Sequence, residues 1–312
     1  VTVTAEPRAG TEVEARALDL GESDRFDPRR PARPGADPGS RWRALVRGVA
    51  AELQEAGVPL PACRLAIRGD LPRGAGLSSS AALCVALALA LRASAGVGPG
   101  DRVALARLCS CVENDWAGAR TGLLDQLASL FGERGRAVRI DMRGPELEPV
   151  PLDLRDHRLA TLDSGAAREL GDSAYNERRR ECAAASARLG VAALRDATAD
   201  DAARLPEPLA GRVRHVTSEN ARVDAMVHAL RRGDLLAAGR LLDASHASLR
   251  DDFEASVPAV ERAVERAHTA GALGARMVGG GFGGHVLALF PPAAGLPADA
   301  TPVAPGPGAA IC

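Results

Sequence analysis

Three stretches of the chain hold residues able to handle a charged ligand. Residues 71–83 read LPRGAGLSSSAAL, placing Gly74, Ala75, Gly76 and Leu77 ahead of Ser78, Ser79 and Ser80. Glycine lets a backbone adopt positive φ and approach a ligand closely. Serine hydroxyls and free amides at a helix start favour an anion such as phosphate. The same letters suit a plain N-cap, although three serines exceed what one cap needs. Residues 111–130, CVENDWAGARTGLLDQLASL, set Glu113 and Asp125 twelve positions apart with Gly118 and Gly122 between them. That break predicts two helices, with Asp125 in the first turn of the second. Aspartate there commonly serves the helix dipole. Held at a backbone break, it can also bind a metal or accept a hydroxyl proton.

The third stretch, MVGGGFGGHVLAL at 277–289, packs five glycines into six positions around Phe282. This predicts a bend or a close approach, because glycines weaken a continuous strand. His285 follows with no metal-ligand spacing and reads as structural. The single tyrosine, Tyr175, lies in SAYNERRRECAAA at 173–185 and opens an arginine-rich helix as a polar lining or a cap. Trp42 falls in a helical pattern, where tryptophan serves a core more often than a nucleotide.

What surrounds these residues excludes some chemistry. All 39 basic residues are arginine and none is lysine. A Walker loop needs a lysine after its last glycine, and a protein-kinase site needs its own nucleotide-anchoring lysine. Any nucleotide bound here relies on backbone amides, a helix dipole, arginine and metal. The formal net charge of -1 gives no reason to expect nucleic acid or an anionic membrane as partner. The longest apolar run, AALCVALALAL at 81–91, is shorter than the roughly 20 residues that cross a bilayer. Six cysteines without a CxxC pair predict reduced thiols in a cytosolic protein.

The elements that must position the three stretches follow from periodicity. Residues 1–20 alternate as strands, with Arg8, Ala9 and Gly10 as a turn. Residues 27–40 form a proline- and glycine-rich connection. Residues 41–57 have helical period, with Trp42, Leu45, Val46 and Val49 on one side. Residues 63–67 alternate as a strand leading into the serine loop, and a long helix is predicted over 101–117. A strand at 137–141 precedes the proline-rich GPELEPVPLDL, where we expect a domain boundary, giving domains at 1–152 and 153–312. HRLATLDSG begins the second domain as a strand, and the text is then mostly helical up to the third stretch. The first residue, Val1, falls in mid-strand, as expected of a valine-coded start or of a chain cut upstream.

Taken together, PRGAGLSSSA, GARTGLLDQLAS and ARMVGGGFGGHVLAL resemble the motifs of the GHMP kinase superfamily. SAYNERRRECAAA and SHASLRDDFEASVP at 245–258 narrow the resemblance to the galactokinases. It runs from near residue 1 to about 290. It implies a two-domain α+β fold with the active site in the cleft between domains, and ATP-dependent phosphorylation of galactose at C1 by a monomeric cytosolic enzyme. Residues 74–80 would wrap the ATP phosphates, and Ser80 with Glu113 would hold Mg²⁺. Asp125 would take the proton of the anomeric hydroxyl. Gly122, Tyr175, Gly280 and Gly281 would face the sugar, and Trp42 the adenine.

The sequence also departs from the pattern. Galactokinases open with a segment resembling GRVNLIGEHTDYNGG, and these residues contain nothing like it. Its loss would leave a bare sheet edge and remove sugar hydrogen bonds and one cation. After Phe290 only coil and a short strand at 301–304 are expected where the family has a helix. Two alternatives therefore stay open: the same transfer to a galactosamine derivative, galacturonate or arabinose, or an inactive truncated or sensing paralogue.

Overall fold

The computed structural model describes residues 1–30, 41–71, 77–118, 122–166 and 173–312. The first half builds a four-stranded sheet from β1 (Thr2–Pro7), β2 (Val13–Ala17), β3 (Glu22–Phe26) and β4 (Cys63–Arg68), in the order β1-β4-β2-β3. The strands flanking the turn at Arg8, Ala9 and Gly10 do not pair with each other. β4 lies between them, antiparallel to β1 and parallel to β2. Burial explains the order. Val13, Ala15 and Ala17 of β2 and Cys63, Leu65 and Ile67 of β4 bury their alternate positions, whereas β1 is at best half-buried and stands at the edge. β3 has little apolar alternation to mark it in the sequence, because ESDRF carries Phe26 as its one apolar residue.

Two helices cover one face of this sheet. α1 (Arg41–Glu55) buries Leu45, Val46 and Val49 as its period predicts, with Trp42 half-buried at its start. α2 (Ser79–Ser94) is the apolar run after the serine loop, and it buries Cys84, Val85, Leu87, Ala88 and Leu91. The helix expected over 101–117 is α3 (Arg102–Cys111), capped by the Asp101 side chain, and it passes into a π-helical turn at Val112–Trp116. α4 (Leu124–Phe131) follows the glycine break and closes this first core with Leu127 and Leu130.

β5 (Arg136–Asp141) pairs with β6 (Glu146–Pro151), so part of the proline-rich text where a domain boundary is expected is a strand. Pro149 and Pro151 are tolerated because each strand of a two-stranded sheet keeps one edge unpaired. The second half holds β7 (Arg158–Asp163), β8 (Gly274–Met277), β9 (His285–Phe290) and β10 (Ala300–Val303) in the order β10-β7-β9-β8. β10 sits where the short strand is expected, as an edge that accommodates Pro302. Against this sheet pack α7 (Leu235–Asp251) and α8 (Pro258–Thr269), with α5 (Ser173–Leu189) and α6 (Leu209–Arg231) beyond. Its core joins Leu162, Val260, Met277, Val286 and Phe290. Among the described residues, no helix is long and apolar enough to cross a membrane.

The helical layer contains a histidine that ties stability to pH. His215 of α6 stacks on Phe253 with ring centroids 4.5 Å apart, and its Nδ1 lies 3.0 Å from Ser248 Oγ. Burial pulls its pKa from 6.5 down to about 4. Between these values the unfolded chain takes up a proton that the folded chain refuses, so stability present at pH 7 falls as pH drops from 6.5 towards 4. Urea midpoints measured across that window should decline, and less steeply in His215→Phe. Equal slopes in the two proteins would remove His215 from the account.

Candidate active site

The α2 end of the site starts from a backbone feature. Ser78 adopts the left-handed region, with φ 54° and ψ 35°, and its side chain makes no capping hydrogen bond. Such a conformation is costly for a residue other than glycine and persists where surrounding structure enforces it. Ser78 is therefore no ordinary side-chain cap, and the first amides of α2 have no intrahelical acceptor. Leu77, Ser78, Ser79 and Ser80 are half-buried there. Gly74, Ala75 and Gly76 lie outside the described residues.

Glu113 stands on the π-helical turn and is only 3% exposed. Ser80 Oγ donates a hydrogen bond to its Oε1, and Gln126 Nε2 donates one to its Oε2. Burial pushes the Glu113 carboxyl above its ordinary range, with the Asp125 charge adding to the effect and the Ser80 and Gln126 hydrogen bonds opposing it. Asp125 is half-buried in the first turn of α4, as its place after the glycine break predicts. Gly118 takes φ 70° directly after the π-helical turn, and Ser110 Oγ reaches Gly122 O at 3.5 Å across the break. Gly122 itself is exposed. The chain thus brings the start of α2, the end of α3 and the start of α4 to one point, where the Asp125 charge acts on the buried Glu113 carboxyl. Such a point attracts a cation, or a proton from a bound hydroxyl.

The remaining predicted residues have other anchors. Trp42 Nε1 donates to Glu22 Oε2 at 2.8 Å, and the Arg43 guanidinium lies 5.3 Å from its ring. Tyr175 is half-buried in the first turn of α5. That helix is tied to the loop after α7, because Arg212 of α6, 1% exposed, donates from Nε to Glu181 at 2.7 Å and from Nη2 to Glu254 at 2.5 Å. Arg212 Nη1 also donates to Asp252 O. The same loop holds the glycine-rich stretch, since Phe282 N donates to Ala255 O at 2.7 Å. Gly279, Gly281, Phe282, Gly283 and Gly284 all have positive φ. A Cβ on Gly281 would meet Ala255 O at 2.5 Å, and one on Gly283 would meet Ala166 O at 2.7 Å. The expected close approach is therefore made by backbone. Gly280 is half-exposed, Gly281 is buried, and His285 is buried within β9.

Arg212 was not among the residues singled out from the sequence, and Gln126 was quoted only within GARTGLLDQLAS, with no role of its own. Gln126 left a signal in hindsight, as an amide at a core-facing position beside Leu127. Arg212 left none, being one arginine among 39 basic residues.

The chain matches the family model of the GHMP kinases N terminal domain over residues 44–133 and that of the GHMP kinases C terminal over residues 226–297. With its two sheet-and-helix halves, this fold defines a GHMP kinase. Galactokinase from Roseiflexus sp. (strain RS-1) is 41% identical over 298 residues, covering 92% of this chain and 74% of the relative. Galactokinase from Mycobacterium bovis (strain BCG) is 43% identical over 256 residues, covering 80% and 70%. Among solved structures, Lactococcus lactis galactokinase complexed with galactose superposes with a TM-score of 0.85 at 33% identity, covering 92% of this chain and 76% of that one. The chain belongs to the galactokinase family of the GHMP kinases.

Proposed function

We propose that this chain transfers the γ-phosphoryl group of ATP to the C1 hydroxyl of galactose, giving galactose 1-phosphate. The relatives named above support the substrate. The observation that carries the reaction type is the convergence of Ser80, Glu113 and Asp125 at the start of α2. Phosphoryl transfer asks a protein mainly for in-line positioning and charge neutralisation; here the free amides at the start of α2 and a cation held by Glu113 would supply the neutralisation, and Asp125 would position the acceptor hydroxyl. In this reading residues 74–80 bind the phosphates through backbone amides and serine hydroxyls. Trp42 lies beside the adenine. Gly122, Tyr175, Gly280 and Gly281 line the sugar pocket.

The donor set fits Mg²⁺. Glu113 and Ser80 offer hard oxygen ligands, and a buried carboxyl raised by burial and by a neighbouring charge is relieved by a cation. No group of three or more His, Cys, Asp or Glu that could hold a metal occurs among the described residues. Mg²⁺ takes one or two carboxylates and completes its shell with phosphates and water. When bound, Mg²⁺ would neutralise phosphate charge. Asp125 would orient the sugar hydroxyl and accept its proton as the new bond forms. We place the domain boundary between β6 and β7, giving 1–152 and 153–312. The six free thiols support a reducing compartment such as the cytosol.

The test supplies the purified chain with ATP, Mg²⁺ and galactose and follows galactose 1-phosphate by ³¹P NMR. Galactosamine, galacturonate and arabinose serve as competitors. Galactose 1-phosphate is the expected product. Preference for a competitor would move the substrate, and nucleotide binding without transfer to any sugar would favour a sensing role.

A further inference from the structure

We infer that Gln126 is a positioning residue for Glu113, holding the carboxylate in the orientation that meets the metal-bound nucleotide. The inference rests on the reading of Glu113 as a metal ligand.

Gln126 is wholly excluded from solvent on α4, beside Leu127 and Leu130. Burying an amide without full hydrogen bonding is costly, so a purely structural position would favour an apolar side chain. The amide's Nε2 is spent on Glu113 Oε2, while its Oε1 is buried with no partner among the described groups. Nothing but Glu113 therefore orients this amide. Turned the other way, it would set its oxygen against a carboxylate oxygen.

The glutamate gains more from the contact than the glutamine does. Its side chain has several rotatable bonds and projects from a π-helical turn, a backbone with less regular support than an α-helix. Ser80 grips one carboxylate oxygen and Gln126 the other. If Ser80 turns towards a metal, Gln126 remains as the fixed hold. Residues 125 and 126 are also adjacent on α4, so the helix presenting Asp125 sets the position of Glu113 as well. The spacing of the two carboxylates thereby becomes a property of one rigid element, as sites of this kind require.

The experiment titrates a non-hydrolysable ATP analogue calorimetrically into wild type, Gln126→Leu, Gln126→Met and Glu113→Gln, once with Mg²⁺ and once with EDTA. The reading is the gain in affinity that Mg²⁺ confers. In Gln126→Leu that gain should shrink about tenfold, the usual cost of losing a residue that orients a metal ligand. Affinity in EDTA should stay within about twofold, because the phosphate loop is untouched. Gln126→Met, closer in length and flexibility, serves the same reading where the leucine variant does not fold. A full Mg²⁺ gain in the folded Gln126 variants, with the gain lost in Glu113→Gln, overturns the inference and leaves the ligand reading intact. An undiminished gain in Glu113→Gln overturns the ligand reading and the inference with it. Equal losses with and without Mg²⁺ in the Gln126 variants would reduce Gln126 to packing.

Discussion

Replacing Asp125 with asparagine is expected to lower galactose phosphorylation by about 10²–10⁴-fold, the range a positioned general base contributes. Asparagine keeps the size and polarity of the side chain but cannot take the proton of the attacking hydroxyl. In the proposed roles Asp125 meets the sugar hydroxyl from the first turn of α4, while residues 74–80, leading into α2, hold the phosphates. Nucleotide affinity should therefore hold in the variant, and with it the Mg²⁺ requirement. Measuring kcat alongside calorimetric affinity for an ATP analogue separates the two. Turnover within a few-fold of wild type would remove Asp125 from the chemistry. Lost nucleotide binding would show instead that its charge supports the phosphate site.

The second large effect belongs to a buried arginine of α6. Arg212→Met should destabilise the folded chain by about 3 kcal/mol, the lower end of what removing one partner from a buried charge network costs. The guanidinium holds Glu181 at 2.7 Å, Glu254 at 2.5 Å and the carbonyl of Asp252, with the Phe253 ring centroid 5.8 Å away. Glu181 is the costlier group to strand, since its side chain is 16% exposed against 58% for Glu254. Arg178 also reaches Glu254, at 3.0 Å, and Glu181, at 3.1 Å, and keeps both carboxylates partly paired, which is why the lower end is expected. Arg212→Lys should recover little, because a single ammonium cannot reproduce the fork to three acceptors. Urea denaturation reads the stability. The KM for sugar should rise more than that for ATP, because Arg212 joins the helix bearing Tyr175 to the loop that supports the glycine-rich stretch. A loss below about 1 kcal/mol would place this network among ordinary surface ion pairs.

Local chemistry was readable from the letters alone. The apolar run after three serines determined α2, the glycine break placed Asp125 in a first helical turn, and clustered glycines announced a backbone approach that Ala255 and Ala166 make. Period and turn chemistry act over a few residues, so they are written into neighbouring positions. The sequence also carried the family, because several motifs in order restrict a chain far more than any one of them does. Pairing across long separations was decided elsewhere. That β4 enters between β1 and β2 depends on which strands bury both neighbours' apolar stripes. That a strand with two prolines pairs with β5 depends on the free edges of a two-stranded sheet. Glu113 meets Ser80 across 33 residues, and Arg212 meets Glu254 across 42. Glutamates and arginines are common throughout this chain, and none carries a local mark of its partner. Only the packed core sets which of them share a buried volume, and burial is what turns an ordinary glutamate or arginine into a charge that must be matched.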